Sequence, residues 1–152
     1  MMGPQVVRLQ FTSSFEMLDF VQLVGDRVGR GAGLRDDALH WVGVAIRESV
    51  INAIRHGNRN DPRKHVFVEF ETAALHSPPE FVVRVRDQGQ GFEPEAVANP
   101  LAPENLLKSS GRGLFLMRSL MDDLQLHRAA EGGMEIRMVK RIPPDPAPES
   151  PA

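Results

Sequence analysis

Glu48 and Asn52 stand four residues apart in the stretch Arg47-Glu48-Ser49-Val50-Ile51-Asn52-Ala53-Ile54-Arg55-His56-Gly57-Asn58. Val42, Ala45, Ile46 and Ala53 form an apolar helical stripe through this region, so the two polar side chains share one face, one turn apart. Burying a carboxylate and a carboxamide without partners costs roughly 1–3 kcal/mol each, so the pair needs a physical account. One account is a satisfied polar pair at a helix end. The other is chemical: Asn52 offers a neutral oxygen to a metal while Glu48 accepts a proton beside it.

Two glycine-bearing stretches carry the remaining chemistry. In Asp87-Gln88-Gly89-Gln90-Gly91-Phe92 an acidic residue precedes two glycines that let backbone approach a ligand. In Gly111-Arg112-Gly113-Leu114 the glycines stand directly before a helix, whose free N–H groups and positive dipole end favour phosphate. Neither pair completes a dinucleotide fingerprint, because Pro94 and Leu116 occupy the third glycine positions. No Gly-Lys-Ser/Thr is present, which excludes a Walker-type site. Each pair alone reads as a turn; together, in this order, the three pieces are far more specific.

Periodicity supplies the scaffold for these residues. Val6 to Phe11 reads as a strand. Thr12, Ser13 and Ser14 offer N-caps for a helix from about Phe15 to Arg30, with Met17, Phe20, Val21, Val24 and Val28 as its buried stripe and Gly29, Gly31 and Gly33 ending it. Asp36 or Asp37 caps the second helix, which carries Glu48 and Asn52 and closes at Gly57. Asn58 to Pro62 is turn chemistry. Val66, Val68 and Phe70 alternate with Phe67, Glu69 and Glu71; after a proline-rich turn, Phe81, Val83 and Val85 alternate with Arg84 and Arg86. One further step puts Asp87 on the apolar side, where it serves either as a functional carboxylate or as a cap for the turn at Gln88-Gly89. Residues 93–110 form a connection broken by Pro94, Pro100 and Pro103, long enough for a functional lid. Gly113-Leu114 opens a third helix with Leu114, Met117, Leu120 and Met121 inward, and Leu124–Arg128 and Met134–Met138 form a hairpin across Glu131-Gly132-Gly133. This order predicts an α/β (α+β) two-layer sandwich: one mixed or mostly antiparallel sheet with helices on one face.

Composition bounds the class. The chain has 152 residues, enough for one domain with a real core, expected over 1–142, followed by a proline-rich, disordered or extended tail over 143–152. A formal net charge of -2 without a basic block argues against nucleic-acid binding. With no cysteine there is no disulfide framework, thiolate zinc site or cysteine nucleophile. No apolar run approaches the ~18 residues of a membrane span and no signal-peptide pattern opens the chain, so a soluble cytoplasmic protein is expected.

The order of the three pieces resembles the GHKL ATPases, the histidine-kinase-like fold shared with gyrase B, heat-shock chaperones and MutL, over roughly Val6 to Ile142. The detail is most similar to the anti-sigma-factor serine/threonine kinases of RsbW type. Glu48-x-x-x-Asn52-Ala53-x-x-His56-Gly57 matches their first motif, and Asn99 to Leu107 running on to Gly111-Arg112-Gly113-Leu114-Phe115-Leu116-Met117-Arg118-Ser119-Leu120-Met121-Asp122 matches their lid and following helix.

The resemblance implies ATP and Mg²⁺ as cofactors. Asp87 would accept a hydrogen bond from the adenine amino group, with Gly89 and Gly91 letting the chain pass close to the nucleotide. Asn52 would give one oxygen to Mg²⁺, and Gly111, Arg112, Gly113 and the opening of the helix at Leu114 would meet the phosphates. Lys108, or Arg112, would add positive charge near the γ-phosphate. Glu48 would be the general base for a serine hydroxyl of a partner, or for water. The implied partners are a sigma factor and a small STAS-type antagonist, the phosphorylation substrate, with a homodimer typical of the family. A nucleotide-gated binding regulator without kinase activity is the alternative. A detached histidine-kinase domain is disfavoured, because no phosphoacceptor helix pair is present.

Overall fold

The structure is a computed structural model that describes residues 5–73, 79–90 and 112–144. Residues 93–110, expected as a lid, and the tail from 145 onward lie outside the described residues. Five strands form one sheet: β1 (Val6–Thr12), β2 (His65–Ala73), β3 (Glu80–Arg86), β4 (Asp123–Arg128) and β5 (Met134–Arg141). Their order is β1-β2-β3-β5-β4, and every neighbouring pair is antiparallel, so the mixed option does not occur here. Helix α1 (Leu18–Ala32) and helix α2 (Asp36–Asn52) follow β1, and α3 (Arg112–Leu120) precedes β4. No helix among the described residues is long and apolar enough to cross a membrane.

Period-two alternation sets the sheet's inner face. Val66, Val68 and Phe70 of β2 are buried, and the register puts Val68 opposite Val85 and Phe70 opposite Val83. On the next pairing, Met138 lies opposite Val83 and Ile136 opposite Val85. Against this face α1 packs Leu18, Val21 and Val28, α2 packs Leu39, Val42, Ala45, Ile46 and Val50, and α3 packs Met117. The Phe70 and Phe81 rings stack nearly parallel in the centre, 6.1 Å apart. The other face carries charge: Arg84 reaches Glu69 at 3.1 Å and Glu71 at 2.9 Å, and Arg8 reaches Glu69 at 2.9 Å. Such half-exposed pairs each contribute at most about 1 kcal/mol, so register is set chiefly by the apolar face.

The helix ends differ in detail from the sequence expectation. Ser14 does cap, accepting from the Glu16 amide, but it caps a 3₁₀ turn at Phe15–Met17 that precedes α1. Phe20 does not join the buried stripe; it is half exposed and Leu23 more so, because Leu18, Val21, Gly25 and Val28 define the inward side. The helix runs through Gly29 and Gly31 and stops at Gly33, whose φ of 114° is open to glycine at little cost. Arg35 occupies the N-cap position of α2, so neither Asp36 nor Asp37 caps it; Asp36 instead sits in the first turn and pairs with Arg30 at 2.7 Å.

At Gly25, α1 lies close against both α2 and β2. A Cβ there would lie 2.7 Å from Ile46 Cδ1 and 3.0 Å from Phe70 Cε1. Gly25→Ala should therefore destabilise by about 1–3 kcal/mol through overpacking, lowering the urea midpoint while leaving the m-value unchanged.

Candidate functional site

Helix α2 delivers Glu48 and Asn52, both half-buried, on the side that meets α3. Gly113, the second residue of α3, lies directly against them. A Cβ on it would stand 3.1 Å from Asn52 Nδ2, 3.5 Å from Asn52 Oδ1 and 3.4 Å from Glu48 Oε2. The first and third sequence pieces therefore meet, and the helix N-terminus opens beside a carboxylate and a carboxamide. Leu114 is partly buried against the hydrophobic core, so its side chain anchors α3. Arg112 is the first residue of α3. Gly91, Lys108 and Gly111 lie outside the described residues.

Beyond Asn52 the helical run closes at Gly57, as the sequence suggested, but its last turn is not α-helical. It widens into a π turn over Ala53–Gly57, closed by the Asn58 amide donating to the Ala53 carbonyl at 2.8 Å. Single π turns of this kind recur at functional sites because the extra residue re-aims the chain beyond it. The left-handed residues come later, at Arg59 and Asn60. His56 is exposed.

Asp87 falls on the inner side of the β3 end, as the alternation predicts, and is only 6% exposed. Its Oδ1 accepts from the Gly89 amide at 2.9 Å and the Met134 amide at 3.1 Å, while its own amide donates to the Met134 carbonyl at 3.1 Å. Oδ2 faces Gly57, where a Cβ would overlap it. Burial pushes the Asp87 carboxyl above its ordinary value; the Gly89 and Met134 amides, then Lys64 and Arg86, pull the other way without cancelling it.

Three close backbone approaches surround this carboxylate. A Cβ on Gly57 would strike Asp87, one on Gly89 would strike the Gly57 carbonyl, and one on Gly133 would strike the Asp87 carbonyl. The second and first sequence pieces thus touch through Gly57 and Gly89, and the β4–β5 hairpin forms a wall that sequence reasoning missed. Missed too were Asn58, read only as turn chemistry but fully buried, and Gln88, whose Oε1 accepts from the His65 amide at 2.7 Å. The Gly132-Gly133 pair marked a turn but carried no sign of what that turn touches.

Chemically, the site has two ends. One is a buried, oriented carboxylate oxygen beside bare backbone, suited to accept a hydrogen bond from a flat polar ligand. The other is a helix N-terminus beside a neutral oxygen and a half-buried carboxylate, suited to phosphate and a hard cation. Among the described residues no three His, Asp or Glu side chains converge on a metal site.

A family model described as "Histidine kinase-like ATPase domain" matches residues 11–140. The chain belongs to this ATPase family. Within it, the chain is similar to "Serine-protein kinase RsbW" of Staphylococcus epidermidis, 29% identical over 143 residues that cover 90% of this chain and 86% of the relative. The protein of the same name from Staphylococcus aureus is 27% identical over 143 residues, with 90% and 86% covered. That from Listeria monocytogenes is 25% identical over 142 residues, with 90% and 87% covered. The five-stranded antiparallel sheet under three helices is the scaffold of this ATPase family in the present chain.

The two hairpin glycines separate strain from collision. Gly132 has φ of +97° with open space around it, whereas Gly133 has φ of +82° and abuts Asp87. Gly132→Ala should cost about 1 kcal/mol from backbone strain alone. Gly133→Ala should cost about 2–4 kcal/mol, because Asp87 or the hairpin must move as well; paired urea unfolding curves measure the difference.

Proposed function

We propose that this chain is an ATP- and Mg²⁺-dependent serine-protein kinase that also sequesters a sigma factor. Its substrate on this reading is a serine of a small STAS-type antagonist, in a cytoplasmic partner-switching pathway in which the kinase works as a homodimer. The related serine-protein kinases support the kinase assignment, and the carboxylate of Asp87 supports the nucleotide. One of its oxygens is tied down by two backbone amides and the other faces bare glycine. An acceptor held in this way suits the exocyclic amino group of adenine. Guanine would present a carbonyl oxygen there instead, setting acceptor against acceptor.

Each residue then has a role. Asp87 orients the base, and Gly57, Gly89 and Gly133 let backbone pack close around that carboxylate; Gly91 would let the chain pass close to the nucleotide. Backbone N–H groups of Gly111, Arg112 and Gly113 meet the phosphates, with Lys108 or Arg112 adding charge. Asn52 Oδ1 would hold Mg²⁺, whose chemistry is to neutralise phosphate charge. Glu48 takes the proton of the incoming serine hydroxyl. Phosphoryl transfer asks mainly for positioning and charge neutralisation, so one carboxylate, one carboxamide and a helix N-terminus are a sufficient inventory.

Labelled Mg-ATP incubated with candidate antagonists should label a serine. Glu48→Gln should lower that transfer by about 10²–10⁴-fold while leaving the ATP dissociation constant within about threefold. Binding without transfer by the unaltered protein to any antagonist would instead make the chain a nucleotide-gated binding regulator.

The raised pKa of Asp87 gives opposite signs for ligand and fold. ATP needs the ionised carboxylate, so affinity should fall about tenfold per pH unit once the pH drops below the folded pKa, which lies above 3.8. In the free protein, burial disfavours the ionised form. The stability linked to this group is therefore complete below the unfolded pKa and is lost as pH rises through the folded one. Titration calorimetry with Mg-ATP across this range, alongside Asp87→Asn, tests the assignment: the variant should retain its fold and lose ATP binding at every pH.

A further inference from the structure

Asn58 is buried completely and makes use of every polar atom of its side chain. Its Nδ2 donates to Ser13 Oγ at 2.9 Å and to the His65 carbonyl at 2.9 Å, while its Oδ1 accepts from the Gln88 amide at 2.7 Å. Ser13 Oγ passes the connection on to the Lys64 carbonyl at 3.0 Å. The partners lie just beyond the end of β1, at the start of β2 and just beyond the end of β3, all at one end of the sheet. The register fixes this, since Thr12 pairs with His65 and Phe67 with Arg86. The amide cannot be flipped, because a backbone N–H demands Oδ1 on one side and a backbone carbonyl demands Nδ2 on the other.

We propose that Asn58 is the positioning residue that sets the Asp87–Gln88 turn, and with it the discrimination of adenine from guanine nucleotides. Asp87 is held from the β5 side by Met134, through the amide-to-carbonyl bond and the amide that reaches its carboxylate. From the β2 side the adjoining peptide is held by Asn58. The Gln88 side chain reinforces that hold by accepting from the His65 amide. With both sides fixed, Oδ2 of Asp87 has one position relative to Gly57. Releasing Asn58 would leave the turn held by β5 and by the Gln88–His65 bond alone, and let the carboxylate swing. Asn58 touches no nucleotide on this reading; it acts through Asp87. Because it follows Gly57 directly, it also ties the end of the π turn, and hence the segment leading back to Asn52 and Glu48, to the base end of the site.

This inference rests on the ATP reading, and the experiment separates the two. Dissociation constants for Mg-ATP and Mg-GTP are measured for the unaltered protein, Asn58→Ala, Ser13→Ala and the control Gly25→Ala, with amide hydrogen exchange read at Gln88 and Gly89. Asn58→Ala should weaken ATP binding by about tenfold or more, reduce the ATP-over-GTP preference and expose the Gln88 amide. Ser13→Ala, which removes one partner of Nδ2, should weaken ATP binding about two- to threefold. Gly25→Ala should lower stability without moving either constant, as a merely structural role would. If Asn58→Ala binds ATP and selects it over GTP as the unaltered protein does, the proposal is overturned and the ATP reading stands. Should Asn58→Ala fail to fold, Ser13→Ala decides: an unchanged ATP constant and unchanged Gln88 exchange overturn the proposal. If the unaltered protein binds no ATP, the functional reading falls and this inference falls with it.

Discussion

A carboxylate that is 6% exposed and has no cationic side chain bonded to it among the described residues must be held by something else, and here the backbone does it. The Gly89 and Met134 amides converge on one oxygen of Asp87, which partly offsets the desolvation that raises its pKa. The surrounding backbone is shaped by that arrangement. The Met134 amide is in reach only because the β4–β5 hairpin closes against the end of β3, and the hairpin closes there only because Gly133 lacks a side chain. Gly57 and Gly89 are constrained in the same way by the contact between the π turn and the loop after β3. Three glycines from three segments are thus fixed by one acidic residue.

Sheet and helices divide the labour accordingly. The sheet ends hold Asp87 and the polar clamp around it, all referenced to backbone ladders that cannot shift without losing register. The helices hold Glu48, Asn52 and Gly113, which meet where α2 packs on α3. The π turn joins the two, since it begins directly after Asn52 and ends directly before Asn58. A plain α-helical continuation would have one residue fewer in that turn and would aim Gly57 and Asn58 elsewhere.

Much of this was legible in the sequence because periodicity is local. The alternation through Val66, Val68 and Phe70 and through Phe81, Val83 and Val85 gave the inner face, and extending it one step gave Asp87. Glu48 and Asn52 emerged from a spacing of four. What failed was either fine angular placement or long-range contact. Phe20 falls in the predicted buried stripe, yet it points away from the side that Leu18 and Val21 bury. Gly57 is the helix stop that the sequence suggests, but the π form of the turn it closes has no local signature. Asn58 sits among Arg59, Asn60, Asp61 and Pro62, which read as turn chemistry, and its side-chain partners Ser13 and Gln88 are 45 and 30 residues away. No window along the chain contains that information.

The two carboxylates of the site show why burial matters more than residue type. Asp87 is enclosed, tied by backbone amides and backed by close-packed glycine, so it is suited to hold a fixed direction. Glu48 is half-buried at a helix seam, beside an N-terminus whose dipole favours negative charge, where a second molecule can reach it. A group that must receive a proton from a partner's hydroxyl has to remain accessible to that partner, whereas one that reads a base must not move. On the proposed function the fold would meet both demands, because one carboxylate lies at the end of a strand inside the sheet–helix layer and the other on a helix at its margin. On that same proposal, exchanging the two environments would give a mobile base reader and an enclosed base catalyst, and neither would suit its assigned role.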